Sequence, residues 1–214
     1  MIEDHAAAPA ARGPYPIVVA GFCGLLLISN VAAVKLIGIG SVTFDGGAIL
    51  FPLTYILGDV LSEVFGFRAA RRAIVLGFVL AALASATFLA VQAAPAAPNW
   101  DGQEAFEQTL GFVPRIVVAS LAGYLAGQLL NSWSLVRIKR ATGSRALWAR
   151  LIGSTLVGEA ADTAVFCVIA FYGVITGSQF AVYLGAGYAY KCAVELLLLP
   201  ATYRVIALVR RAGV

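Results

Sequence analysis

The sequence predicts an all-α, polytopic membrane protein with six transmembrane helices. Of its 214 residues, 61% are hydrophobic and only 12% are charged, whereas soluble domains average about 25% charged residues. The mean hydropathy is +0.89. Apolar runs long enough to cross about 30 Å of hydrocarbon recur along the chain, separated by short polar or basic segments. These observations favour an integral membrane protein over a soluble domain.

The chain divides into a short polar tail and one membrane domain. Residues 1–13 are Ala-rich and polar, which predicts a disordered cytoplasmic tail, and residues 14–214 are predicted to form a single six-helix transmembrane domain. The segment Asp45-Gly46-Gly47 is predicted to turn into the second helix, where Pro52 suits the first turn because its missing N–H costs little there. The six predicted helices cover approximately residues 16–37, 51–66, 73–94, 114–136, 151–176 and 180–209.

Basic side chains are concentrated in alternate connections between these helices. Arg68, Arg71 and Arg72 follow the second helix, five Lys or Arg residues lie between positions 137 and 150, and two Arg residues come near the end of the chain. The loop at 95–112 instead holds three acids and no Lys or Arg. Because basic loops stay in the cytoplasm, this pattern predicts cytoplasmic N- and C-termini and an outward-facing loop at 95–112.

Ionisable side chains interrupt three of the predicted helices, each pair lying on one helix face. They are Asp59 and Glu63 in the second helix, Glu159 and Asp162 in the fifth, and Lys191 and Glu195 in the sixth. Each charge costs about 2.5–3.5 kcal/mol at the centre of a membrane helix, so these faces should look into the protein or a watery cavity. Pairing that only fixes helix packing is one explanation. The second explanation is a site for a polar substrate or ion. It is favoured because three separate helices each bring a carboxylate.

Chemistry based on metals or nucleophiles finds little support in the sequence. The three Cys residues lie in apolar runs, and the single His lies in the polar tail. A zinc site, an HExxH motif, a P-loop and a nucleophile elbow are therefore not predicted. We expect no catalytic residues, no metal site and no cofactor. A nucleic-acid surface is also not expected, because no basic face is interleaved with aromatic residues.

Two local patterns bear on how the helices are arranged. The segment Gly58-Asp59-x-x-x-Glu63-Val64-Phe65 echoes Gly158-Glu159-x-x-Asp162-x-x-Val165-Phe166, which suggests a 3+3 inverted repeat of the kind that transporters use. The acids are spaced differently by one residue in the two segments, so the repeat is a hypothesis. Gly123 and Gly127 form a small-residue pattern that allows two membrane helices to approach closely.

A series of motifs, in order along the chain, resembles the queuosine precursor transporter family. The matching segments are Asn30 and Lys35, Phe44-Asp45-Gly46-Gly47, Phe51-Pro52-Leu53-Thr54-Tyr55-Ile56-Leu57-Gly58-Asp59, Glu63-Val64-Phe65-Gly66, Ala70-Arg71, Glu159-x-x-Asp162-Thr163-x-x-Phe166 and Tyr190-Lys191-x-x-x-Glu195-x-x-x-x-Pro200-x-Thr202-Tyr203. The departures are Phe65, where Tyr is common, and Thr163, where Ser is common. Neither departure removes a charge.

The resemblance implies a six-helix protein of the bacterial inner membrane that imports 7-cyano-7-deazaguanine or 7-aminomethyl-7-deazaguanine for queuosine salvage. The implied partners are this small molecule and the lipid bilayer, with a homodimer allowed and no nucleic acid. A carboxylate can accept the N–H and NH2 of a guanine-like edge together, and a lysine, amide or tyrosine hydroxyl can donate to its oxo group. The expected substrate-binding residues are Asn30, Lys35, Tyr55, Asp59, Glu63, Glu159, Asp162, Tyr190, Lys191 and Glu195.

Three functional classes stay open at this point. The chain could import its substrate alone, or it could be the substrate-binding subunit of an energy-coupling factor importer driven by separate ATPases. A membrane enzyme acting on lipid or isoprenoid substrates is the third. It is disfavoured, because such an enzyme would usually need a metal motif, and the sequence has none.

Overall fold

The computed structural model describes residues 13–142 and 147–211, and within them the chain is almost entirely helical. The residue bounds of the helices are α1 Tyr15–Ala32, α2 Phe51–Phe65, α3 Phe67–Ala93, α4 Gln103–Leu110, α5 Val113–Thr142, α6 Leu147–Phe171 and α7 Ser178–Arg211. Between α1 and α2 lie two short strands, β1 Leu36–Ile39 and β2 Val42–Asp45, and a 3₁₀ turn at Gly46–Ile49. The predicted helical class is confirmed. The predicted tail lies outside the described residues except for Gly13.

The hairpin between α1 and α2 is the main departure from the predicted elements. The first helix ends at Ala32 instead of continuing to residue 37, and β1 and β2 pair antiparallel around the two-residue loop Gly40-Ser41. Gly40 has φ +61°, a value that the first position of such a loop requires and that glycine adopts at no steric cost. The apolar residues of β1 therefore belong to a strand rather than to the last turn of a membrane helix.

The connection after the hairpin is packed tightly against the end of α1. A Cβ on Gly46 would lie 2.4 Å from the carbonyl oxygen of Ala32, and one on Gly47 would lie 2.9 Å from the carbonyl oxygen of Ser29. Only glycine allows such a close approach of two backbones. The hairpin and the 3₁₀ turn are thereby fixed to α1.

Five helical segments are long and apolar enough to cross a membrane in the part of the chain that the structure describes. They are α1, α3, α5 together with the preceding α4, α6 and α7. Helix α2 has 15 residues, which makes it about 22 Å long at about 1.5 Å per residue. That length is shorter than the hydrocarbon layer, so the count of six spans stays a prediction. Large side chains exposed to the surroundings, such as Leu83 and Leu197, have the apolar character that lipid contact demands.

Helices α5 and α6 form the most extensive helix pair of the fold. The two helices approach closely because Gly123 and Gly127 of α5 have no side chains. A Cβ on Gly123 would lie 2.9 Å from the carbonyl oxygen of Asp162, and one on Gly127 would lie 3.1 Å from that of Gly158. The predicted small-residue contact is therefore present, and it holds the backbone of Asp162 against α5.

Candidate functional site

Lys191 is the centre of the charged site. Its ammonium bonds to the Asp162 carboxylate on α6 and lies 4.0 Å from Oε2 of Glu159, one turn earlier on the same helix. The three side chains are between 19% and 25% exposed. Lys191 on α7 therefore pairs with Asp162 on the neighbouring helix α6, and not with Glu195 on its own helix. The ion pair therefore joins α6 to α7.

The position of Asp162 follows from the packing of α5. Because Gly123 and Gly127 lack side chains, the backbone of Asp162 is pressed directly against that helix. A Cβ on Gly123 would also lie 2.9 Å from Oδ1 of Asp162. The carboxylate is thus confined between α5 on one side and Lys191 on the other. A small-residue motif that serves packing also positions a charged side chain.

Glu159 keeps a free hydrogen-bond acceptor in the site. Its Oε2 atom is buried and accepts no hydrogen bond from any described residue. Thr163, one turn further along the same face of α6, is 2% exposed, and its hydroxyl oxygen also has no described hydrogen-bond partner. An unsatisfied buried polar group costs about 1–3 kcal/mol. A ligand that donates hydrogen bonds here would remove that cost.

Aromatic rings cover the Lys191 side chain. The ammonium lies 5.4 Å from the centroid of the Phe51 ring, within reach of a cation–π contact. The Tyr190 ring lies 6.4 Å from Phe51 and 5.7 Å from Phe44, and its hydroxyl donates to the carbonyl oxygen of Ala48 at 2.9 Å. The start of α2 and the end of the hairpin therefore bring planar apolar surface next to the charged groups.

Further acids extend the site along α7 and α2. The Tyr55 hydroxyl lies beside the Glu195 carboxylate, and Asp59 and Glu159 are close enough to act on it electrostatically. Asp59 in turn feels the charges of Glu195 and Glu63. Glu63 is exposed near the end of α2, where its carbonyl oxygen accepts a hydrogen bond from an arginine of α7. The predicted acids of α2, α6 and α7 are therefore close enough to influence one another electrostatically, and they are called the acidic row below.

Asn30 and Lys35 are not part of that row. Asn30 is 4% exposed, accepts a hydrogen bond from the Ser120 hydroxyl at 3.1 Å, and lines a separate, largely apolar cavity of about 150 Å³ between α1, α3 and α5. The Lys35 side chain is exposed at the start of the hairpin, and it forms no ion pair with the described residues. Their assignment to the substrate site stays a prediction. No described hydrogen bond or ion pair links them to the group formed by Lys191, Asp162 and Glu159, which is called the Lys191 cluster below.

Asp45 and Tyr183, like Phe51, lie at the site but were not among the expected substrate-binding residues. The Tyr183 hydroxyl donates to Oδ2 of Asp45 at 2.9 Å, and Tyr183 is 3% exposed. Burial raises the pKa of the Asp45 carboxyl, and hydrogen bonds from Tyr183 and the Gly47 backbone together with the charge of Lys191 oppose that rise. Asp45 was expected in a turn and in one motif of the family resemblance, without a binding role. Its acidic side chain next to two glycines was the signal that could have indicated more.

The arrangement suits a planar, polar, uncharged or cationic molecule. A free carboxylate oxygen can accept N–H groups, an ammonium can donate to a carbonyl, and neighbouring rings can stack on a flat base. Three or more His, Cys, Asp or Glu side chains gathered to hold a metal ion are not found among the described residues.

Comparison with known proteins gives the family. Residues 45–205 match a family described as "Putative vitamin uptake transporter". A "Probable queuosine precursor transporter" of Bacillus subtilis (strain 168) is 32% identical over 178 residues, which are 82% of this chain and 77% of that protein. The "Queuosine precursor transporter" of Escherichia coli (strain K12) is 32% identical over 126 residues, which are 59% of this chain and 54% of that protein.

No solved structure matches the chain significantly. The family match covers more than half of the chain, and the Bacillus relative is matched over more than two thirds of both proteins. The match also includes every acid of the row from α2 to α7. The chain therefore belongs to the queuosine precursor transporter family.

Proposed function

We propose that this protein imports queuosine precursors, 7-cyano-7-deazaguanine or 7-aminomethyl-7-deazaguanine, across the bacterial inner membrane. The names of its relatives support this substrate class. The observation that carries the proposal in the structure is the free Glu159 Oε2 beside Lys191. The Glu159 oxygen can accept from an N–H of a guanine-like edge, and the neighbouring Lys191 ammonium can donate to its oxo group.

The site also suggests how the base is held. Glu159 accepts the N–H and NH2 of the base, Lys191 donates to its oxo group, and the rings of Phe51 and Tyr190 offer surfaces for stacking. The aminomethyl form adds a cation that a second acid of the row, such as Glu195, can balance. In this scheme Asp59 and Glu63 act nearer the cytoplasmic end. Both termini are proposed to be cytoplasmic, because the basic segments follow the second and fourth predicted helices.

The remaining functional classes are less well supported. None of the relatives compared above is named as part of an energy-coupling factor importer, and transport alone or as a homodimer is the simpler proposal. Membership of a transporter family favours transport over catalysis, and the site contains recognition groups without a nucleophile–base pair. We propose no nucleic-acid partner, and no cofactor enters the scheme.

Uptake in a suitable bacterial host tests the proposal. The host lacks its own precursor synthesis, its own precursor importer and energy-coupling ATPases. Expression of the chain with external 7-cyano-7-deazaguanine should restore queuosine in tRNA, measured by mass spectrometry of nucleosides. Queuosine absent from tRNA, with the protein present in the membrane, would overturn transport by the protein alone. If added energy-coupling ATPases then restored queuosine, the energy-coupling alternative would be correct.

A further inference from the structure

A polar cavity lies at the start of α7, ahead of Tyr183 and Lys191 along that helix. The cavity measures about 230 Å³ and is lined by residues of the hairpin and of the first turn of α7, among them Thr43, Ser178 and Gln179. Gln179 and Tyr183 are four residues apart and share one face of α7. Lys191 follows eight residues later, which is about 12 Å along the helix axis. Along the axis of α7, Tyr183 therefore lies between the residues that line the polar cavity and Lys191.

Two tyrosine hydroxyls of α7 hold the hairpin segment in place at this point. Tyr183 donates to the Asp45 carboxylate and Tyr190 donates to the carbonyl oxygen of Ala48, both at 2.9 Å. On its other side the same segment is fixed to α1 by the close backbone contacts of Gly46 and Gly47. The backbone contacts cannot loosen without moving α1, whereas each hydroxyl bond can break by a small shift of α7.

We propose that Tyr183 and Tyr190 form a gate between the polar cavity and the Lys191 cluster, and that substrate reaches the cluster when their bonds to Asp45 and Ala48 break. This gate is called the tyrosine clamp below. Its role in transport rests on the proposed import function, but its opening is a property of the protein without substrate. Asp45 and Tyr183 thereby become positioning residues of the transport path.

A native cysteine can report the opening of the clamp. Cys167 on α6 is 2% exposed and packs in the same buried cluster as Tyr183. Leu36 of β1 packs against this cluster, and Lys191 and Asp45 are close enough to act on the Cys167 thiol electrostatically. Replacing the other two cysteines by Cys23→Ser and Cys192→Ser leaves Cys167 as the only thiol. A maleimide should then react with it only when the segment moves away.

The experiment measures the rate of maleimide labelling in purified protein in detergent. We expect Tyr183→Phe and Tyr190→Phe each to label about three to ten times faster, because each loses one hydroxyl bond and keeps its ring. Tyr188→Phe is the matched control, since its hydroxyl donates to the carbonyl oxygen of Leu156 and not to the hairpin. Its labelling rate should not change. Equal rates in all three variants would overturn the clamp.

A second pair of variants keeps the test valid if a tyrosine variant does not fold. Asp45→Asn retains an acceptor for the Tyr183 hydroxyl, whereas Asp45→Ala removes it. Labelling should stay close to the starting rate in Asp45→Asn and rise in Asp45→Ala. Equal rates in these two would contradict the clamp. The labelling experiment contains no substrate, so it is independent of the uptake experiment. If labelling followed this pattern but the protein did not take up 7-deazaguanines, the proposed substrate would be wrong and the clamp would stand.

Discussion

The Lys191 ammonium bonds to the Asp162 carboxylate while Oε2 of Glu159 lies 4.0 Å away, so a single cation on α7 faces two acids on α6. The two acids are not equivalent. Asp162 is held by the ion pair and by the tight packing against α5, whereas the buried Glu159 oxygen has no described hydrogen-bond donor. Of the two carboxylates, Glu159 is therefore the one with a buried oxygen that is available to accept a hydrogen bond from a ligand.

The first prediction concerns Glu159. Glu159→Gln replaces one carboxylate oxygen by an NH2 donor, so the charge-assisted bond to the base is lost, and affinity should fall by roughly 10- to 150-fold. Thermal stabilisation by 7-cyano-7-deazaguanine in detergent measures the change. Glu104→Gln in α4, an exposed acid bonded to the Gln108 side chain, is the matched control and should bind normally. Equal affinity in both variants would remove Glu159 from the site.

The second prediction concerns the ion pair. Lys191→Met leaves the largely buried Asp162 without its cation, which should destabilise the protein by about 3–5 kcal/mol. The double variant Lys191→Met with Asp162→Asn removes both charges and should regain more than half of that loss, yet should not bind the base. Denaturation in detergent measures the stability. Lys35→Met, at an exposed lysine without an ion pair among the described residues, should have little effect. Equal stability of the single and double variants would show that the two charges are independent.

The sequence predicted the charged row better than the contacts within it. Helical periodicity places Glu159 and Asp162 on one face. Because a charged side chain in lipid costs free energy, this face is expected to contact protein or water. Spacing along one helix cannot say that Lys191 reaches across to Asp162 instead of to Glu195, because that choice depends on how close α5 allows α6 to come. It also could not separate Asn30 from the site, since an amide in an apolar helix suits either cavity.

The hairpin escaped prediction for a different reason. Residues such as Ile37 and Ile39 are apolar and follow a membrane helix without a break, so hydropathy extends that helix through them. The structure instead packs the backbone of Gly46 against Ala32, the last residue of α1, a tertiary contact between residues fourteen positions apart. Local patterns do not contain that information.

The third prediction tests this contact. Gly46→Ala places a Cβ 2.4 Å from the Ala32 carbonyl oxygen, and neither backbone can yield without moving the hairpin or α1. We expect a loss of about 1–3 kcal/mol or more in the free energy of unfolding. Gly185→Ala on α7 is the control, since its Cβ meets nothing within 4 Å and alanine favours a helix by about 1 kcal/mol. If both variants unfolded at the same denaturant concentration, the close packing of the segment would be wrong.

The last prediction concerns whether α2 crosses the membrane. Single cysteines are placed in a cysteine-free background at Ser41 in the hairpin loop, Phe67 at the start of α3 and Asn99 in the acidic loop. Helix α2 is short, but the hairpin and the 3₁₀ turn extend the segment beyond it, so the chain can still reach the other side. In the six-span topology, Ser41 and Asn99 lie outside and Phe67, next to the basic cluster, lies in the cytoplasm.

A membrane-impermeant thiol reagent added to intact cells should therefore label the cysteines at Ser41 and Asn99 and spare the one at Phe67, which should react only after the membrane is opened. Phe67 is 77% exposed, so its protection would come from the membrane rather than from burial within the protein. In a five-span topology, Ser41 and Phe67 would lie on the same side. Labelling both of them, or neither, in intact cells would show that α2 enters the bilayer and does not cross it.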